Sequence, residues 1–171
     1  MTSLARIFFD YVVKGKYESS RRSKAIDEVL DLKTERYDKA YMRMAKEWSK
    51  LSHCNRAKVG SLIVKDNMII SDGFNGSPTG FDNDCEDNSN TTHWYVLHSE
   101  ANAILKCAKN GSSCKGATIY LTHSPCKDCA KLIHQSGIVR IVCNERYRDN
   151  DGIDFLKEAG LDITFLNNNL D

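Results

Sequence analysis

The sequence predicts an α/β protein: a three-layer α-β-α sandwich with a mixed five-stranded sheet and helices on both faces. Three observations carry this expectation. Two Val/Ile-rich segments, 59–65 and 68–74, flank an Asp66-Asn67 pair suited to a hairpin turn. Beyond them, helical runs alternate with short β-rich runs almost to the C-terminus, the rhythm of a sheet with crossover helices. The 171 residues, 41% of them hydrophobic, suffice for one sizeable core.

The elements follow in order. Residues 1–36 stand apart as an N-terminal extension, with eight Lys/Arg against six Asp/Glu. Leu4, Ile7, Phe8, Tyr11 and Val12 fall at helical spacing, so a short helix is expected there, laid on the domain or on a neighbouring subunit. Residues 37–171 form the domain proper. Its first helix is expected over 37–51, where Tyr37, Ala40, Tyr41, Met44, Ala45, Trp48 and Leu51 mark one face. Trp48 therefore reads as core rather than as a stacking platform. The hairpin comes next, and the Gly-rich run 73–81 and the acidic stretch 82–92 read as loops. A helix over 99–109 should stop at Gly111, and one over 127–135 before Gly137. Strands are expected over 117–122, 138–143 and 161–166, with a helix over 152–159 closed by Gly160.

Composition narrows the function. A formal net charge of +1 gives no field to recruit a polynucleotide or a membrane. The apolar runs fall far short of bilayer thickness. Seven cysteines, an odd number, argue against a secreted disulfide scaffold. They favour metal ligands in a reducing compartment, and the expected location is the cytoplasm.

Two short stretches carry the chemistry. His98-Ser99-Glu100 reads H-x-E, and Pro125-Cys126-Lys127-Asp128-Cys129 reads P-C-x-x-C. Each stands at an expected helix start, and Pro125 suits such a start because its missing N–H would go unpaired there. His98, Cys126 and Cys129 supply one imidazole and two thiolates, a zinc ligand set that leaves the fourth position for water. Glu100 is then placed to move protons, the arrangement used by zinc nucleobase deaminases. A C-x-x-C alone would equally suit a redox pair or half of a structural zinc site. The former would not need His98 and Glu100, and the latter needs a fourth ligand, for which His123 is the best candidate.

The chain resembles the deoxycytidylate (dCMP) deaminase family of the cytidine deaminase superfamily over about 37–166. The likeness rests on C-N-R-A-K-V-G-S-L-I-V-K-D (54–66), S-D-G-F-N-G-S-P-T-G-F (71–81), W-Y-V-L-H-S-E-A-N-A-I-L (94–105), G-A-T-I-Y-L-T-H-S-P-C-K-D-C-A-K (116–131) and G-I-V-R-I-V (137–142). Ser99 stands where the pattern usually has Ala, and Phe74 where it usually has Tyr. The resemblance implies a cytidine deaminase-like fold and hydrolysis of dCMP to dUMP and ammonia, supplying thymidylate synthesis. Arg56 becomes a nucleotide-binding candidate, with Lys58, Arg146 and Arg148 readable as ordinary solvated charges. Asn75 resembles the residue that binds the sugar, and Ser124 and Tyr147 are further substrate candidates.

The resemblance also implies regulation by dCTP and dTTP through Gly73, Phe74, Asn75 and Gly76, with Mg²⁺ accompanying a triphosphate, and a homo-oligomer, commonly a hexamer. Some members hold a second, structural zinc. Cys54, Cys85 and His93 are the candidates here, although three ligands do not close a tetrahedron, and the alternative is two unpaired thiols and a surface His. Two other functions compete: a deaminase of another nucleobase, nucleoside or pterin, and a non-catalytic nucleotide-binding module. Glu100 separates the last from an enzyme, because zinc ligation alone does not require that carboxylate.

Overall fold

The computed structural model describes residues 3–170, with side chains from Lys24 onward except that of Ala25. Two compact units divide the chain, Met1–Tyr37 and Asp38–Asp171. Helix α1 runs Ser3–Ser49 without a break, where the sequence suggests a short helix followed by a second one from Tyr37. No proline occurs before Pro78, so nothing in this stretch forces the helix to end. The apolar positions expected at 4–12 lie outside the residues whose side chains are described.

The second unit is built on one five-stranded sheet. Its strands are β1 (Gly60–Lys65), β2 (Met68–Phe74), β3 (Thr118–His123), β4 (Arg140–Glu145) and β5 (Asp162–Phe165), in the order β2-β1-β3-β4-β5. β1 runs antiparallel to both β2 and β3, while β3, β4 and β5 are parallel, so the sheet is mixed. The β1–β2 turn is made by Asp66 and Asn67 at φ 52° and 61°. Two consecutive left-handed residues match the twist of the flanking strands, and Asn and Asp tolerate that conformation best after Gly. Three further helices follow: α2 (Ser99–Lys109), α3 (Lys127–Gln135) and α4 (Asp151–Glu158).

Alternation along the strands sorts two apolar layers. Ile63, Ile119, Leu121, Ile141 and Cys143 join Ala103 and Cys107 of α2, Ala130 and Ile133 of α3, and Ile153 and Leu156 of α4. Leu62, Val64, Tyr120 and Val142 point the other way, onto Met42 and Ala45 near the end of α1. Trp48 packs on this second layer and donates from Nε1 to Asp72 Oδ1 at 2.6 Å, a core position rather than a stacking platform. Helices thus cover both faces, and the three-layer α-β-α expectation holds. Among the described residues, no helix is long and apolar enough to cross a membrane.

Candidate active site

The carboxyl ends of β3 and β4 lead into one cavity of about 480 Å³. That position follows from the parallel part of the sheet, whose strand ends open toward helix starts. Two starts matter. His98 is the residue before α2, with φ −71° and ψ 157°, and Cys126 is the residue before α3, with φ −69° and ψ 166°. Both backbones are extended, and neither side chain is used to cap its own helix. Each side chain is therefore available to reach across.

They meet. His98 Nδ1 lies 3.5 Å from Cys126 Sγ and 3.4 Å from Cys129 Sγ, one turn into α3. Among the described residues, these three form the one group whose ligand atoms all lie within metal-holding distance, at most 4.8 Å apart. The Cys126 thiol is held down to about 3, chiefly by the hydrogen bond from Cys129 and further by His98, against burial. The same bond, together with burial, pushes the Cys129 thiol up. Hydrogen bonding to Cys126 holds the His98 imidazole above its usual value. One ring nitrogen and two sulfurs that share protons so closely are a donor set for a cation. Imidazole with thiolate is the combination zinc prefers, and three protein donors are the catalytic rather than the structural number.

Glu100 sits beside them in the first turn of α2 and is 4% exposed. Burial pushes its carboxyl up, against lesser opposing effects that include the His98 charge and the Ser99 hydroxyl. A carboxyl raised toward neutrality both accepts and releases a proton readily.

The substrate candidates converge on the same cavity: Arg56, Asn75, Ser124 and Tyr147 all line it. Several of their polar atoms are engaged within the protein. The Asn75 amide accepts from Val59 N–H and donates to Ala57 C=O, both at 2.8 Å, so it pins the chain just before β1. Ser124 Oγ accepts the Tyr147 N–H at 2.8 Å and fixes the loop after β4. Arg56 Nη1 donates to Thr92 Oγ1 at 2.9 Å. His123, Arg146 and Arg148 also line the cavity.

Gly73, Phe74 and Gly76 do not line it. They secure the start of α2. A Cβ on Gly73 would lie 2.1 Å from Ser99 O, Asn102 Nδ2 donates to Phe74 C=O at 2.8 Å, and Gly76 and Leu97 exchange backbone hydrogen bonds. At Gly73 the absence of a side chain admits the start of α2.

The second-zinc candidates are engaged elsewhere in this structure. Cys54 and Cys85 are joined as a disulfide, and sulfurs bonded to each other no longer offer the thiolates that zinc ligation needs. The His93 ring stacks on Tyr95 instead, with centroids 5.0 Å apart. The disulfide also departs from the expectation, drawn from seven cysteines, of metal ligands in a reducing compartment.

Sequence reasoning missed Glu86, Thr92 and Val96 of the cavity lining. Glu86 is buried, and its carboxylate accepts the N–H groups of Asn55 and Arg56 at 3.1 and 3.3 Å. Within a polar, acidic run nothing periodic singles it out. Gly152 was missed as well: a Cβ there would lie 2.3 Å from Pro125 O, so this glycine lets α4 approach the cysteine loop.

A three-ligand metal-binding group with a buried carboxyl beside it fits a class, the zinc hydrolases whose fourth position is left to water. Comparison with known proteins is more specific. The family model described as the cytidine and deoxycytidylate deaminase zinc-binding region matches residues 35–145. A deoxycytidylate deaminase of Enterobacteria phage T4 is 37% identical over 158 residues, covering 67% of this chain and 82% of the relative. The crystal structure of dCMP deaminase from the cyanophage S-TIM5, in complex with dCMP and dUMP, superposes with a TM-score of 0.72 at 42% identity, covering 74% of this chain and 93% of that one. A diaminohydroxyphosphoribosylaminopyrimidine deaminase/reductase of Thermotoga maritima reaches a TM-score of 0.62 at 26% identity, covering 77% of this chain but 37% of the other. The chain belongs to the cytidine and deoxycytidylate deaminase family, and it is a zinc-dependent deaminase.

Proposed function

We propose that the protein hydrolyses dCMP to dUMP and ammonia. One observation carries the reading: a single cavity is lined by the zinc donors His98 and Cys126, with Cys129 beside them, by Glu100 and by three arginines, Arg56, Arg146 and Arg148. Deamination of a free base would need only the first two parts. The arginines suit a phosphate, which guanidinium groups bind with paired hydrogen bonds. The phage T4 relative is a deoxycytidylate deaminase and the cyanophage enzyme binds dCMP and dUMP, which supports the same substrate.

His98, Cys126 and Cys129 would hold the zinc, which when bound supplies the acidity that makes water a nucleophile near neutral pH. Glu100 does the proton work. Its carboxylate takes a proton from the water and gives it to N3 of the pyrimidine as the water oxygen bonds to C4. It then takes the remaining hydroxyl proton and delivers it to the 4-amino nitrogen. The C4–N bond breaks, ammonia leaves, and the C4 carbonyl and N3–H of uracil remain. Burial of Glu100 keeps bulk water away from these transfers.

The reading places catalysis in residues 37–171, with residues 1–36 as an appended extension, and the enzyme in the cytoplasm as a homo-oligomer, a hexamer by family likeness. It also places dCTP activation and dTTP inhibition, with Mg²⁺ accompanying the triphosphate, at Gly73, Phe74, Asn75 and Gly76. The bonds from this segment to Leu97 and Asn102 support that assignment, since a ligand that shifted it would shift His98 and Glu100.

Ammonia release from dCMP, deoxycytidine, CMP and dCTP tests the proposal, each substrate with and without added dCTP except dCTP itself. dCMP should be turned over fastest. Equal activity on deoxycytidine would remove the phosphate role of the arginines, and failure on all four would remove the cytosine reading.

A further inference from the structure

Ser99 lies between His98 and Glu100 and is fully buried, at 0% exposure. Buried serines usually satisfy their hydroxyl on nearby backbone. This one does not. Its Oγ donates to Glu100 Oε2 at 2.9 Å. The backbone around it is fixed from two sides: Ser99 O accepts Ser61 Oγ at 2.8 Å, and the chain at Gly73 approaches so closely that a Cβ there would strike Ser99 O. The hydroxyl thus comes from a rigid point and is aimed at one oxygen of the proton carrier.

We infer that Ser99 is a positioning residue for Glu100: its hydroxyl occupies Oε2 and leaves Oε1 as the oxygen that carries the proton. A serine hydroxyl suits both halves of the cycle. It donates to Oε2 of the carboxylate and, once Oε1 has taken the proton, to the carbonyl oxygen that Oε2 has then become, so it stays on Oε2 in both states of Glu100. No atom of Ser99 exchanges with the substrate. The gain is orientational: a carboxylate held in one rotamer presents the same oxygen to the water and then to the pyrimidine, which shortens the search at each transfer. Alanine at this position would leave the carboxylate to the Glu100 backbone N–H and the Cys129 thiol, without the one hydroxyl that fixes Oε2. The inference rests on the deaminase reading of the site, and its activity arm takes dCMP as the substrate.

The test is Ser99→Ala, alone and combined with Glu100→Gln, in the zinc-loaded full chain. Alanine removes only the oxygen, so the fold and zinc content should match the parent. kcat on dCMP should fall about 10-fold, the effect of one lost charge-assisted hydrogen bond, while KM stays within about twofold. Against Glu100→Gln, adding Ser99→Ala should change the residual rate no further, because Ser99 acts only through Glu100. Equal loss in both backgrounds, or no loss in either, overturns the inference. Crystal structures of the zinc-loaded parent and of Ser99→Ala provide an arm independent of turnover. The parent should show Oε2 on Ser99, and the variant a carboxylate without one fixed orientation. A parent carboxylate turned away from Ser99, or the same single orientation in both, also overturns it. A parent inactive on dCMP but active on another aminopyrimidine removes the dCMP proposal and leaves Ser99 to be judged on that substrate. A parent inactive on every substrate leaves the judgement to the structures.

Discussion

At the residue scale the site turns on Glu100. Its carboxyl sits against the metal donors without being one of them, and burial raises it toward the range where a proton is exchanged readily. Glu100→Gln keeps the volume and keeps an oxygen to accept from Ser99, but it cannot carry the proton. Zinc content measured by atomic emission should equal the parent's, and kcat should fall by about 10²–10⁴. A variant that lost its zinc would show that Glu100 helps hold the ion, and near-parent turnover would end its role as proton carrier. Glu100, His98, Cys126 and Cys129 were all legible in the sequence because their spacing is itself chemical: a ligand, a carboxylate two residues on, and a cysteine pair one helical turn apart. Glu86 and the Cys54–Cys85 disulfide were not legible, since each depends on which loops meet.

At the element scale, α2 and α3 have the bounds their sequences predict, 99–109 and 127–135. Their stops were visible because Gly111 and Gly137 follow at φ 69° and 80°, a conformation that favours glycine. β2 keeps its expected bounds, 68–74, while the other strands moved by one or two residues, because a strand ends where its partner ends and no partner is written in the local sequence. Gly73 shows the same limit. A glycine is visible in the sequence, but the helix that fills the space above it is not. Gly73→Ala puts a methyl group 2.1 Å from Ser99 O and 2.8 Å from Ala103 N, both backbone atoms that can move only with α2. The expected cost is about 1–3 kcal/mol of stability, from overpacking. The larger effect falls on catalysis, since α2 carries His98 and Glu100 at its start. kcat on dCMP should fall more than stability at assay temperature explains, with the melting temperature read alongside. Parent-like kcat in a destabilised variant would mean that the helix start does not follow this contact.

At the scale of the whole domain, one buried ion pair joins layers that the active site leaves apart. Asp38 of α1 is 3% exposed, and its carboxylate receives Arg140 Nη1 and Nη2 at 2.8 and 2.7 Å and Tyr120 OH at 2.8 Å. Arg140 also donates to Asp162 at 2.9 Å and to Thr164 at 3.2 Å. The network therefore ties the end of α1 to β3, β4 and β5 on the face opposite α2, α3 and α4. A buried ion pair is a poor source of net stability when compared with a well-packed apolar replacement, but breaking one half of it is costly because the other charge is stranded. Arg140→Ala leaves Asp38 inside without its bidentate partner, and the expected loss is about 3–5 kcal/mol in chemical denaturation. Asp38→Ala with Arg140→Ala removes both charges and should recover part of that loss, so the double variant should be more stable than Arg140→Ala alone. Zinc content and kcat at low temperature should stay near the parent's in both, because no member of the network lines the cavity. A double variant that loses the sum of the two single losses would mean that the charges act independently, and that packing around α1 holds this face of the sheet.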